Sequence, residues 1–198
     1  MSDPLLALAG RCRHEQDIKK SRFLALAAPV DSPEQALAFV QEVSDAAATH
    51  NCWAYRIGQA YRFNDDGEPG GTAGRPILQA IEGQGIDHAV VVVTRWYGGI
   101  KLGAGGLARA YGGTAAECLR LAERVPIVPM ATLALSCDFA DLALLKARLH
   151  ELDVIIENET FNAEGADLLL RLPETRVDEA QRRITDITRG RSVARRID

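Results

Sequence analysis

Between Asp87 and Glu117 the chain carries no acidic residue, yet it places Arg95, Lys101 and Arg109 around a glycine run that leads into a helical pattern. Glycines ahead of a helix leave backbone N–H groups free, and the helix dipole adds partial positive charge at that end. The stretch Trp96 to Gly113 therefore has the chemistry of a seat for an anion. Gly99, Gly103, Gly105 and Gly106 would allow close backbone approach, and Lys101 and Arg109 would supply charge. The alternative is that these glycines serve only tight turns and close helix packing. The segment is not a Walker loop, because GxxxxGK[ST] is absent, and it lacks the acidic residue of a dinucleotide fingerprint.

Other residue types suggest further chemistry, each with a simpler alternative. Asp65, Asp66 and Glu68 could bind a divalent cation or act as acid and base, or form a solvated loop tip. Tyr97 and Trp96 follow an apolar run, and Tyr55, Arg56, Tyr61 and Arg62 lie on a preceding hairpin; aromatic and Arg side chains on a sheet can stack unpaired bases. Core packing is the alternative for Trp53 and Tyr55. His50 and Cys52 stand two apart in a strand pattern, which does not bring a thiol onto its base, so Cys52 reads as a buried structural residue. No Ser stands in a nucleophile-elbow pattern, and no catalytic set is assigned. Arg182, Arg183, Arg189, Arg191, Arg195 and Arg196 form a basic stripe that either contacts phosphates or pairs along a solvated helix face.

These residues need elements to hold them. Strands are predicted over 9–18 and 21–30, followed by a helix over 33–48 with Ser32 as cap, and a strand from Cys52 extended by Ala60 to Phe63. Residues 63–76 (FNDDGEPGGTAGRP) read as a mobile surface loop, Ile77 to Glu82 as a short helix, and Asp87 to Arg95 as a strand buried on both faces. A long helix follows over about 105–124, with Leu107, Tyr111, Ala115 and Cys118 on one face. Val125 to Pro129 reads as a linker. Beyond it the pattern is strand 130–138, helix 141–151, strands 153–161 and 166–172, helix 177–189 and a last strand near 192–197. That order is ferredoxin-like.

The chain has 198 residues, 23 basic and 27 acidic, and a net charge of −4. That total excludes a generic nucleic-acid coat while leaving room for a local anion site. Cys12, Cys52, Cys118 and Cys137 include no CxxC pair, so no metal site is expected and the thiols read as buried in a reducing compartment. The apolar stretches Leu5 to Ala9 and Ala89 to Val93 are too short for a signal core or a bilayer span, so a cytoplasmic protein without membrane contact is expected.

Four blocks, in order, resemble the YigZ/IMPACT family: Ser21-Arg22-Phe23, Ala48 to Tyr55 (ATHNCWAY), Asp65 to Pro76 (DDGEPGGTAGRP) and Val93 to Tyr111 (VTRWYGGIKLGAGGLARAY). The resemblance covers most of residues 14–125 and is weaker after 128. It implies an α+β protein. Residues 1–126 would form a ribosomal protein S5 domain 2-like domain, and 129–198 a ferredoxin-like domain similar to the last domain of elongation factor G. It further implies a functional face containing His50, Asn51, Asp65, Asp66, Glu68, Arg75, Arg95, Tyr97, Lys101 and Arg109. Eukaryotic members regulate translation by binding the activator of a stress kinase; bacterial members have no firmly assigned activity. The leading expectation is a regulator that binds RNA or ribosome-associated factors and uses no cofactor. An enzyme or binder of a phosphorylated small molecule is the alternative.

Overall fold

The uninterrupted valine run becomes the central strand of a sheet covered on both faces. A computed structural model describes residues 5–197. In chain order the elements are β1 (Leu6–Leu8), β2 (Cys12–Ile18), β3 (Ser21–Pro29), α1 (Pro33–Val43), β4 (His50–Ile57), β5 (Ala60–Asn64), α2 (Gly74–Gly83), β6 (Ala89–Trp96), α3 (Ala104–Leu121), β7 (Arg124–Pro126), β8 (Met130–Asp138), α4 (Phe139–His150), β9 (Ile155–Phe161), β10 (Gly165–Pro173), α5 (Val177–Thr188) and β11 (Arg195–Ile197). The chain divides into two units, residues 1–127 and 128–198.

In the first unit the antiparallel sheet runs β2-β3-β6-β4-β5. Val91 and Val93 of β6 face the layer of α2 and α3, where Ile77, Ile81, Leu107, Tyr111 and Cys118 are buried. Val90 and Val92 face the other way, onto Ala36 and Phe39 of α1, with Trp53 and Tyr55 beside them. Two apolar faces explain why the run does not alternate. Trp53 and Tyr55 are thus core residues rather than stacking surfaces. Tyr61 and Phe63 of β5 remain exposed.

Local chemistry moves several predicted boundaries. Ser32 caps α1 by accepting the Gln35 N–H (3.3 Å), but the helix stops at Val43, not 48. The Ser44 N–H and hydroxyl both turn back to the Val40 carbonyl, and Asp45 exchanges two 3.0 Å bonds with the Asn51 side chain. The predicted linker at 125–129 is corrected too: Val125 and Pro126 belong to β7, which pairs antiparallel with β1, with Leu6 opposite Pro126.

The second unit follows the order β-α-β-β-α-β, with an antiparallel sheet ordered β11-β8-β10-β9. Burial alternates along β8, and α4 and α5 cover one face through Leu145, Leu149, Ala180 and Ile184. The basic stripe here is largely consumed internally. Arg183 pairs with Glu179 and Glu151, Arg191 with Asp141, and Arg196 with Glu174, while Arg182 donates to the Asp178 carbonyl. Among the described residues, no helix is long and apolar enough to cross a membrane.

Candidate functional site

The turn after β5 is rich in residues that break regular structure, yet it is tied down by two carboxylates. Asp65 accepts the N–H groups of Gly71 (2.8 Å), Ala73 (3.0 Å) and Gly74 (2.8 Å), so its side chain caps the start of α2. Asp66, in a left-handed conformation (φ 44°), accepts the Asn51 N–H at 2.6 Å. The mobile loop expected over 63–76 is therefore an anchored one, and its last residues, Gly74 to Pro76, are already helical. The anchoring carries Glu68 inward, where it is only 8% exposed.

Glu68 stands at the centre of a buried polar cluster. Its Oε1 accepts from Arg95 Nη1 (2.7 Å) and from the Tyr111 hydroxyl (2.6 Å). His50 Nε2 lies 3.7 Å from Oε2. The His50 Nδ1 is 2.7 Å from the Asp66 carbonyl, which can only accept, so Nδ1 carries the proton and Nε2 is turned toward Glu68. The Arg95 guanidinium lies 5.6 Å from the Phe23 ring centroid and 5.3 Å from that of Tyr97, and its buried Nε has no partner. Burial raises the Tyr111 hydroxyl above its ordinary value and pushes the Cys52 thiol up to about 12. Cys52 donates to the Asp65 carbonyl at 3.0 Å and is a neutral packing residue, not a nucleophile.

The glycine segment folds beside this cluster as a strap. The Tyr97 N–H reaches Thr49 Oγ1 (2.9 Å) and the Gly98 N–H reaches Ser21 Oγ (3.2 Å). Any Cβ at Gly98 would collide with the Lys20 carbonyl, so only glycine lets the strap cross the β2–β3 turn. Gly103, at φ 74°, starts α3, and its carbonyl accepts the Leu107 N–H at 2.8 Å. The N–H groups of Ala104, Gly105 and Gly106 have no partner among the described residues, and the first turn holds no acidic residue.

Strap, cluster and α3 line an open pocket of about 420 Å³. Pro69, Leu102, Ala104 and Leu107 form apolar walls; Thr49, His50, Glu68 and Arg95 supply polar groups; Tyr97, Lys101 and Gly103 complete it. Six residues singled out in the sequence thus meet here: His50, Glu68, Arg95, Tyr97, Lys101 and Gly103. The others do not line it. Asn51, Asp65 and Asp66 hold the adjoining turns, Gly99 makes a left-handed bend, and Gly105 and Gly106 lie in the first turn of α3. Arg75 is exposed on α2, and Arg109 lies along α3 over Gly105. Asp65, Asp66 and Glu68 do not converge on a cation position, since each is committed to different partners.

Sequence patterns missed Tyr111, Ser21 and Thr49 as parts of the cluster, because their partners lie 43 or more positions away. Lys19 and Lys20 were also missed. Their turn lies against the strap, and among the described residues neither has a carboxylate within 4.0 Å; the same holds for Arg75, Lys101 and Arg109.

The fold and this pocket define a small two-unit α+β protein with an open, polar-floored site in its first unit. Residues 19–119 match the Impact N-terminal domain, and residues 135–191 match a domain of unknown function, DUF1949. The chain is 48% identical over 179 residues to "IMPACT family member in pol 5'region" of Thermus thermophilus, covering 88% of this chain and 97% of that protein. It is 39% identical over 184 residues to "IMPACT family member YigZ" of Escherichia coli, covering 88% and 89%. A solved structure titled "Crystal structure of an hypothetical protein" superposes with a TM-score of 0.80 at 36% identity, covering 100% of this chain and 99% of that one. "Protein IMPACT" of Homo sapiens is 39% identical over 95 residues, 43% of this chain and 29% of that protein. The chain belongs to the IMPACT family.

Proposed function

We propose that this IMPACT family member is a cytoplasmic regulatory protein that binds RNA or an RNA-bearing surface of the translation machinery through the pocket of its first unit. The observation that carries this reading is the pairing of the free Ala104 N–H at the start of α3 and Lys101 with an exposed Tyr97 ring and apolar walls at one pocket. Phosphate suits the first pair, and an unpaired base suits the second. Lys20, whose carbonyl lies against Gly98 of the strap, and Arg109, over Gly105 of α3, add positive charge near it. The sheet orders of the two units support S5 domain 2-like and ferredoxin-like assignments, and proteins of both folds touch RNA. Arg95 contributes little net charge, because Glu68 neutralises it; its role is to present a rigid floor.

Binding to single-stranded RNA and to purified ribosomes should be salt-sensitive, and should weaken at least about tenfold at low salt in the Lys101→Ala/Arg109→Ala double variant. Unchanged sedimentation of the variant with RNA and ribosomes would overturn the reading. The pocket's volume and apolar walls favour one second reading, a free nucleotide or phosphorylated metabolite as ligand. A thermal shift with mononucleotides, but none with oligonucleotides, would select it.

A further inference from the structure

Two of the four free cysteines meet. Cys12 at the start of β2 and Cys118 on α3 stand 106 positions apart in the chain, yet their Sγ atoms lie 3.5 Å apart across the seam between sheet and helix. A disulfide holds its sulfurs at about 2.0 Å, so side-chain torsions have a short distance to close. The two thiols are unequal in access: Cys12 is half-buried and Cys118 buried. Their hydrogen bond holds the Cys12 thiol below its ordinary value against the opposing effect of burial, and raises that of Cys118 together with burial. A half-buried thiol with added thiolate character, backed by a fully buried neighbour, suits thiol–disulfide exchange. Neither Cys52, bonded to the Asp65 carbonyl, nor Cys137, in the second unit, has a second sulfur in reach.

We propose that Cys12 and Cys118 form a reversible oxidative modification site, closed to an intramolecular disulfide by a low-molecular-weight disulfide such as oxidised glutathione. The Cys12 thiolate attacks one sulfur of the oxidant and expels the other as a thiolate, leaving a mixed disulfide. Cys118 then attacks the Cys12 sulfur while its proton passes to the departing sulfur, which leaves as the second small thiol. Two protein thiols are oxidised by two electrons, and one small disulfide is reduced to two thiols. The new bond fastens β2, an outer strand of the sheet, to α3. The Gln16 Nε2 already donates to Thr114 Oγ1 across the same seam at 2.7 Å, so little rearrangement is needed.

The test is incubation of the full chain with oxidised glutathione, followed by alkylation under denaturing conditions and peptide mass mapping. Two of the four thiols should disappear without retained glutathione, in a Cys12–Cys118 cross-linked peptide that a dithiol reductant opens. The melting temperature of the oxidised chain should rise by on the order of 10 °C, because the bond closes a long loop. Cys118→Ala should trap glutathione on Cys12. Cys12→Ser, at the less buried position, should leave Cys118 unmodified, and it tests the order of attack even where Cys118→Ala folds poorly. Four intact thiols, glutathione retained on wild-type Cys12, or a cross-link between two chains would each overturn the proposal.

Discussion

At the scale of single residues, Glu68 decides whether the pocket has a floor. Removing one member of a buried ion pair leaves the other charge uncompensated, so Glu68→Ala should destabilise the first unit by about 3–5 kcal/mol. Tyr111→Phe removes one bond to the same carboxylate and should cost about 2 kcal/mol. Chemical denaturation of both variants checks the order. Nothing local in the sequence marks Glu68 as buried, because its two donors come from positions 27 and 43 residues away. Cys52 makes a different prediction. The folded chain holds its proton to about 12, whereas an unfolded chain loses it near 9.0. Above that lower value unfolding releases a proton, so stability falls as pH rises, by about 1.4 kcal/mol per unit. The raised groups Cys118 and Tyr111 act in the same direction. Urea midpoints compared near pH 8 and pH 10.5 should show a smaller alkaline loss in Cys52→Ala than in the unsubstituted chain.

At the scale of elements, legibility followed how local the cause is. The valine strand and α3 were readable because burial imposes its own period on the sequence. Ser32 was readable as a cap because its partner is three residues on. The strands β1 and β7, three residues each, carry no period and exist through their pairing with each other and through the bridge of Leu6 to Ile86. The Asp65–Ala73 turn misleads for the opposite reason: its composition breaks regular structure, but one carboxylate fixes it through three N–H groups. Asp65→Ala should therefore cost about 2 kcal/mol as a lost helix cap and open the turn to protease, visible as new cleavage between residues 65 and 73. Of the pocket, the strap and the start of α3 were legible from glycine placement. The cluster beneath them was not, because sheet pairing assembles it.

Across the whole molecule, charge is handled differently in the two units. The second unit pairs Arg148, Arg171, Arg176, Arg183 and Arg191 with carboxylates; the first pairs Arg11, Arg13, Arg22, Arg95 and Arg120 but leaves Lys19, Lys20, Arg75, Lys101 and Arg109 without a carboxylate partner among the described residues. The overall charge of −4 conceals this division. If RNA is the ligand, Lys101→Ala should lower the salt slope of binding by about 1, whereas Arg183→Ala should leave it unchanged. Titrations at several salt concentrations measure both. The pairing of β1 with β7 has a consequence of another kind. Because Leu6 lies opposite Pro126 and the Ile127 N–H bonds to the Leu5 carbonyl at 2.9 Å, the chain enters and leaves the first unit at one spot. A unit with such a doorway should tolerate being spliced into a surface turn of another protein, or rejoined there and reopened at the Gly58–Gln59 turn, because neither operation severs a strand.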